Sequence, residues 1–143
     1  MKIIFLDHQG VMYIKKHPHP GTLELFDVEC ISVLNSILET TGCEIVISSD
    51  WKYWVDITEM QKFYLSQGIV KTPLAYTEKR PGGDYAKERS IEINNYVESH
   101  PEISSWVSVD DLDMRSYLTN FIYVEKVLEG IKSVKDDILK FFN

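Results

Sequence analysis

Cysteine is scarce in this 143-residue chain: there are two, Cys30 and Cys43, and neither stands in a Cys-x-x-Cys pair or a Cys/His array. That excludes a zinc ribbon and a disulfide-framed scaffold. The expectation is two buried free thiols in a reducing compartment. Long apolar runs are missing too; none approaches the roughly 18 residues that a bilayer span needs. The opening MKIIFLDHQGV enters a strand directly, with no long apolar segment and no small-residue cleavage site. A soluble, cytoplasmic protein without a membrane partner is expected. Basic charge is in deficit, with 15 Lys and Arg against 22 Asp and Glu and a formal net charge of −7. This disfavours broad, nonspecific nucleic-acid binding, which relies on Lys and Arg neutralising phosphates, but leaves room for a local basic pocket. There is no internal repeat and no low-complexity segment. What is present is ordinary for a globular chain: 44% hydrophobic residues and enough length for one domain, residues 1–143, to bury a core unaided.

The elements follow from punctuation and periodicity. Ile3–Leu6 is a short apolar run that reads as a strand buried on both faces. His17–Gly21, with two prolines and a glycine, is a loop. Asp27 is placed to cap a helix to about Thr40, with Val28, Ile31, Val33, Leu34, Ile37 and Leu38 as its apolar stripe and Gly42 as its stop. Glu44–Ser48 is a second buried strand. A helix is expected over Val55–Gln67, a short strand over Pro73–Tyr76, a loop over Lys79–Asp84 and a helix over Tyr85–Ser99, closed by Pro101. Trp106–Val109 and Phe121–Val124 are strands. Ser133 and Asp136 resemble a capping box for a last helix to about Phe142. This alternation implies an α/β fold, with a mostly parallel sheet of about five strands and helices on both faces.

Such sheets bind ligands at the carboxyl ends of their strands. The first strand ends in Asp7, followed by His8, Gln9 and Gly10. The second ends in Ser48 and Ser49, followed by Asp50. A later one ends in Asp110 and Asp111, with Asp113 close behind. Carboxylates gathered at one edge repel each other and call for a cation, and an oxygen-rich set of this kind suits Mg²⁺.

FLDHQGV resembles the first motif of the haloacid dehalogenase-like (HAD) superfamily, an apolar strand followed by Asp-x-Asp-Gly-(Thr/Val). EIVISS resembles the second motif and VSVDD the fourth. In AKERSIEINNYVESHP, Arg89 best fits the third-motif cation, with Lys87 the runner-up. ISSDWK and RSIEINNYVESHP are also similar to the small HAD domains associated with nucleic-acid repair proteins. The resemblance covers nearly the whole chain in the right order. It implies a three-layer αβα, Rossmann-like fold and a phosphatase chemistry with Mg²⁺ as cofactor. Asp7 would attack phosphorus and form an aspartyl-phosphate. Ser48 would hydrogen-bond the phosphoryl group, and Arg89 would offset its charge. Asp7, Asp110, Asp111 and the carbonyl of Gln9 would hold the metal. Ser49, Lys87 and His8 are further candidates for substrate contact. The partner would be a phosphorylated substrate, with a nucleotide or polynucleotide end among the possibilities.

One position departs from the motif. Gln9 stands where the phosphatases carry the Asp that protonates the leaving oxygen, and an amide cannot shuttle a proton at neutral pH. Such help is worth about 10²–10⁴-fold in rate. Three readings follow: a good leaving group that needs no proton, His8 as substitute (although neighbouring strand-end side chains point to opposite faces), or a silent phosphate-binding or regulatory module. His17 and His19 lack a third ligand and read as plain loop residues. The resemblance makes this region a flap, with Tyr13, Lys15 and Lys16 in reach of substrate. Trp51, Tyr53 and Trp54 read as core packing, or alternatively as a surface on which a base stacks. Lys79 and Arg80 are in range of a substrate phosphate, but the following Gly-Gly is not a P-loop. No cap domain is expected, since neither inter-motif stretch has room for one, and the site should be open.

Overall fold

The computed structural model describes residues 1–14, 23–80 and 82–143. The predicted loop histidines His17 and His19 and the flap lysines Lys15 and Lys16 lie outside the described residues.

Five strands form one sheet: β1 (Lys2–Leu6), β2 (Glu44–Ile47), β3 (Ala75–Tyr76), β4 (Ser105–Asp110) and β5 (Phe121–Tyr123). Their order is β3-β2-β1-β4-β5 and every pairing is parallel, so the sheet is wholly rather than mostly parallel. Among the described residues four α-helices pack on it: α1 (Val28–Thr41), α2 (Ile57–Ser66), α3 (Tyr85–Ser99) and α4 (Lys135–Phe141). Leaving β1, the chain builds outward to β2 and β3, then crosses by α3 to β4. The topological switch therefore falls between β1 and β4, where ligands of such sheets bind.

Strand alternation assigns the two faces. Ile4, Leu6, Ile45, Ile47, Val107 and Val109 join the larger core, with residues of α1, α2 and α4. Ile3, Phe5 and Val46 join the smaller one, under Ile93 of α3. There Phe5 meets Tyr96 and Trp106 edge to face, with ring centroids 5.7 and 5.5 Å apart. The layers are thus helices, sheet and helix, the αβα arrangement expected.

Several boundaries shift, each for a local reason. β2 ends at Ile47, and Ser49 accepts a hydrogen bond from the Trp51 amide to start a 3₁₀ turn over Asp50–Tyr53. The helix expected from Val55 begins two residues later, after Asp56, whose carboxylate caps the Glu59 amide. The stripe of α1 departs from the expected one only at its start: Leu34, Ile37 and Leu38 are buried with Cys30, Ile31 and Val33 pack against the core, and Val28 is 82% exposed. The capping box at Ser133 does not form. Ser133 Oγ donates to the Gly130 carbonyl within a 3₁₀ turn, Gly130–Val134, and α4 starts only after it. Both cysteines are free and buried. No helix among the described residues is long and apolar enough to cross a membrane.

Candidate active site

The alternation that divides the core also builds the site. Residues 3, 5 and 7 of the first strand face α3, as do 46 and 48 of the second and 106, 108 and 110 of the fourth. Continuing these rows past the last apolar residue brings Asp7, Ser48 and Asp110 together at the carboxyl edge, under α3. Arg89 lies one turn before the core residue Ile93 on that helix, so its side chain points at the same edge.

The guanidinium of Arg89 ties the cluster together. Nη1 donates to Asp110 Oδ2 at 2.9 Å and lies 3.6 Å from Asp7 Oδ1, and Nη2 donates to Asp50 Oδ1 at 3.1 Å. The other oxygen of Asp110 accepts from the Leu112 amide at 2.8 Å. Arg89 and Asp7 are both buried, and Asp110 is fully enclosed. Burial disfavours the charge on Arg89, but the Asp110, Asp7 and Asp50 carboxylates outweigh it and hold the guanidinium protonated. Arg89, rather than Lys87, is the cation at the strand ends. Lys87 is exposed, and its backbone amide is capped by Asp84.

Asp7, Asp110 and Asp111 each offer a carboxylate oxygen, and these lie within 4.8 Å of one another. Burial, and then the charge of Asp110, push the Asp7 carboxyl well above the usual carboxylate range, while Arg89 pulls the other way. Burial also raises Asp111, against a lowering hydrogen bond with Asp7. Gly10 makes this crowding possible. Its φ of +79° favours glycine, and a Cβ there would overlap the Asp111 carboxylate. Three oxygen donors with one buried guanidinium fit a small hard cation such as Mg²⁺, and such a cation would keep Asp7 ionised.

The remaining predicted residues are distributed unevenly. Ser48 Oγ is buried with no hydrogen-bond partner among the described residues, a spare donor on the row of Asp7. Ser49 is buried and occupied in starting the 3₁₀ turn. Gln9 is half-buried and pairs in a short bridge with Tyr13, closed by the Gly10 amide on the Tyr13 carbonyl at 2.9 Å. His8 belongs to the row of Ile4 and Leu6 and points into the opposite core. It packs among Phe26, Trp51 and Tyr64, with Nε2 2.7 Å from the Tyr64 hydroxyl. Burial, and then the Arg89 charge, push its pKa down to about 3, so the ring is neutral at physiological pH. The structure does not bring His8 to the carboxylates. Tyr13 packs against Trp51, with ring centroids 5.5 Å apart and the planes at 39°, and burial pushes its phenol up to about 12, with Asp7 and Asp111 adding to the rise.

Two residues of the site were given no role from the sequence, although Asp50 was noted at its strand end. Asp50, on the 3₁₀ turn, shares Arg89. Lys52, only 2% exposed, donates to Glu92 Oε1 at 2.8 Å, Thr77 Oγ1 at 3.0 Å and the Glu78 carbonyl at 2.8 Å. Burial lowers the Lys52 pKa, and Glu92 opposes that. The sequence signal for Lys52 was faint: a lone lysine inside the aromatic run Trp51–Trp54.

A five-stranded parallel αβα sheet, with a strand-end aspartate facing paired acids and a helix cation, defines a HAD-like domain. Residues 3–130 match the family described as the HAD domain in Swiss Army Knife RNA repair proteins, and the chain belongs to that family. Comparison with curated proteins and with solved structures gave no match.

Proposed function

We propose that the chain is a Mg²⁺-dependent phosphomonoester hydrolase in which Asp7 takes the phosphoryl group. The observation that carries this is the convergence of the Asp7, Asp110 and Asp111 carboxylates on one point beside Arg89. Asp7, Asp110 and Asp111 would hold the metal, together with the Gln9 carbonyl. Bound Mg²⁺ supplies the positive charge that lets an anionic phosphate approach a carboxylate. Asp7 attacks phosphorus as the bond to the leaving oxygen breaks, giving an aspartyl-phosphate. Water then attacks that phosphorus, releases inorganic phosphate and restores the carboxylate. Arg89 offsets charge on the equatorial oxygens, and Ser48 Oγ donates to one of them. Gln9 has no proton to give, so the leaving oxygen draws its proton from solvent and unactivated esters turn over slowly. The family's association with RNA repair supports a polynucleotide end or nucleotide as the phosphate carrier. The two buried free thiols support a reducing, cytoplasmic setting.

The test is steady-state release of phosphate from an activated aryl phosphate with Mg²⁺. Turnover should vanish in Asp7→Asn and rise about 10²–10⁴-fold on an alkyl phosphate in Gln9→Asp. Wild-type turnover no greater than that of Asp7→Asn refutes the hydrolase. Gln9 itself favours one second reading, a phosphate-binding module without turnover. Phosphate binding that depends on Arg89, in a protein with no activity, identifies that case.

A further inference from the structure

An open groove of about 510 Å³ begins where the phosphate site ends, sharing Arg89 and Asp50 with it. Three aromatic side chains line it with their surfaces in solvent: Tyr53 is 48% exposed, Trp54 38% and Tyr85 68%. Exposed aromatics gathered at one concave surface are uncommon unless something covers them. Trp51, by contrast, is buried in the core, so the aromatic run WKYW is divided between packing and a free surface. The charge in the groove narrows the occupant. Its two arginines are already engaged, Arg80 with Glu88 at 2.9 Å and Arg89 with Asp50 and Asp110. Asp50, Glu88 and Glu92 add negative charge to the lining. Lys79 stands 5.8 Å from the Tyr53 ring centroid and is not among the lining residues. Among the described residues a second phosphate would find no unpaired cation in the groove, whereas an uncharged planar ring would find aromatic faces.

The groove is also held in shape. Tyr85, Glu88, Arg89 and Glu92 occupy one face of α3, at successive i, i+3, i+4 and i+7 positions. Glu92 Oε2 accepts from the Arg80 amide at 2.9 Å, while its other oxygen takes buried Lys52, which in turn grips Thr77 and Glu78. Gly82 lies so close to Glu88 that a Cβ there would overlap its side chain. Thr77, Glu78 and Arg80 are therefore tied to α3 through the buried Lys52–Glu92 pair, and Arg80 also by its exposed pair with Glu88.

We propose that this groove is a subsite for the nucleobase of the terminal nucleotide of the substrate, stacked on Trp54 and Tyr85, next to the phosphate held at Arg89. The proposal rests on the hydrolase reading for the neighbouring phosphate, but base binding is measurable without it. Saturation-transfer NMR with adenosine, which carries no phosphate, should show contact of the purine protons with the wild-type protein. Trp54→Ala and Tyr85→Ala should each weaken that binding about 5–100-fold, the range expected for loss of one stacking partner. Tyr85 is largely exposed, so its variant should fold; a thermal melt of the same sample checks this. An unphosphorylated oligoribonucleotide in parallel separates the sources: tighter binding than adenosine assigns a polynucleotide end, equal binding a mononucleotide. Absence of adenosine binding, or equal binding by both variants, overturns the subsite. Failure of the hydrolase reading would appear separately, as no phosphate release from any monoester.

Discussion

Replacing Asp7 by Asn should make the metal-free protein more stable, although it removes the proposed nucleophile. Asp7 lies within 4.8 Å of the oxygens of Asp110 and Asp111 and 3.6 Å from Arg89. At an effective dielectric constant of 20, each like-charge pair at that distance costs about 3–4 kcal/mol, and the Arg89 attraction returns about 4–5 kcal/mol. Repulsion exceeds attraction by about 2–3 kcal/mol, before the cost of burying the carboxylate is added. Asparagine keeps the shape and loses the charge. A gain of about 2 kcal/mol corresponds to a melting temperature higher by roughly 4–8 °C for a domain of this size. The pH dependence gives a second signature. The folded-state pKa of Asp7 is raised, so its contribution to wild-type stability is fully present at low pH and is lost as pH rises through that value. The gap between Asp7→Asn and wild type should therefore be small near pH 4 and widen as pH increases. Mg²⁺ should close it, since the cation stabilises the wild type more than the variant. Differential scanning fluorimetry from pH 4 to 8, with EDTA or with Mg²⁺, measures all three effects. An Asp7→Asn protein less stable than wild type in EDTA at neutral pH would refute the crowded-carboxylate account.

Three further outcomes are expected. Gly10→Ala should abolish Mg²⁺-dependent stabilisation in the same assay, because a Cβ would displace the Asp111 carboxylate and the positive φ adds strain. Lys52→Met should destabilise by about 3–5 kcal/mol by stranding Glu92, and should also loosen the Thr77–Arg80 loop, read as faster amide exchange there. His8 is held neutral, with its pKa lowered to about 3, so its contribution to stability is present above its ordinary pKa of about 6.5 and is lost as pH falls towards 3. Denaturant titration of His8→Phe against wild type should show a shallower acid loss in the variant; parallel curves would remove His8 from the account.

Much of the fold was legible because parallel strands are short apolar runs and helices carry their stops beside them. Gly42 and Pro101 closed helices where expected, and the alternation of strands and helices gave a parallel sheet, whereas the strand order came from the tertiary structure. Boundaries failed where side chain and backbone made local bargains that composition does not display, as with the Ser49 turn and Ser133. The site was legible in part because period 2 is strict. Once Ile3 and Phe5 face α3, Asp7 must as well, and His8 must turn the other way.

The sequence by itself determined which residues end the strands, and hence that Asp7, Ser48 and Asp110 share one edge, because alternation along a strand is a local property of the backbone. It ranked Arg89 above Lys87 but did not separate them, since both are helix residues near the right position. The tertiary structure decided that choice through three carboxylates drawn from three different strand ends. It also revealed Asp50 as a partner of Arg89, and the Lys52–Glu92 pair that shapes the neighbouring groove. Those contacts join residues 39 and 40 positions apart, and no local pattern encodes a distance that only chain packing sets.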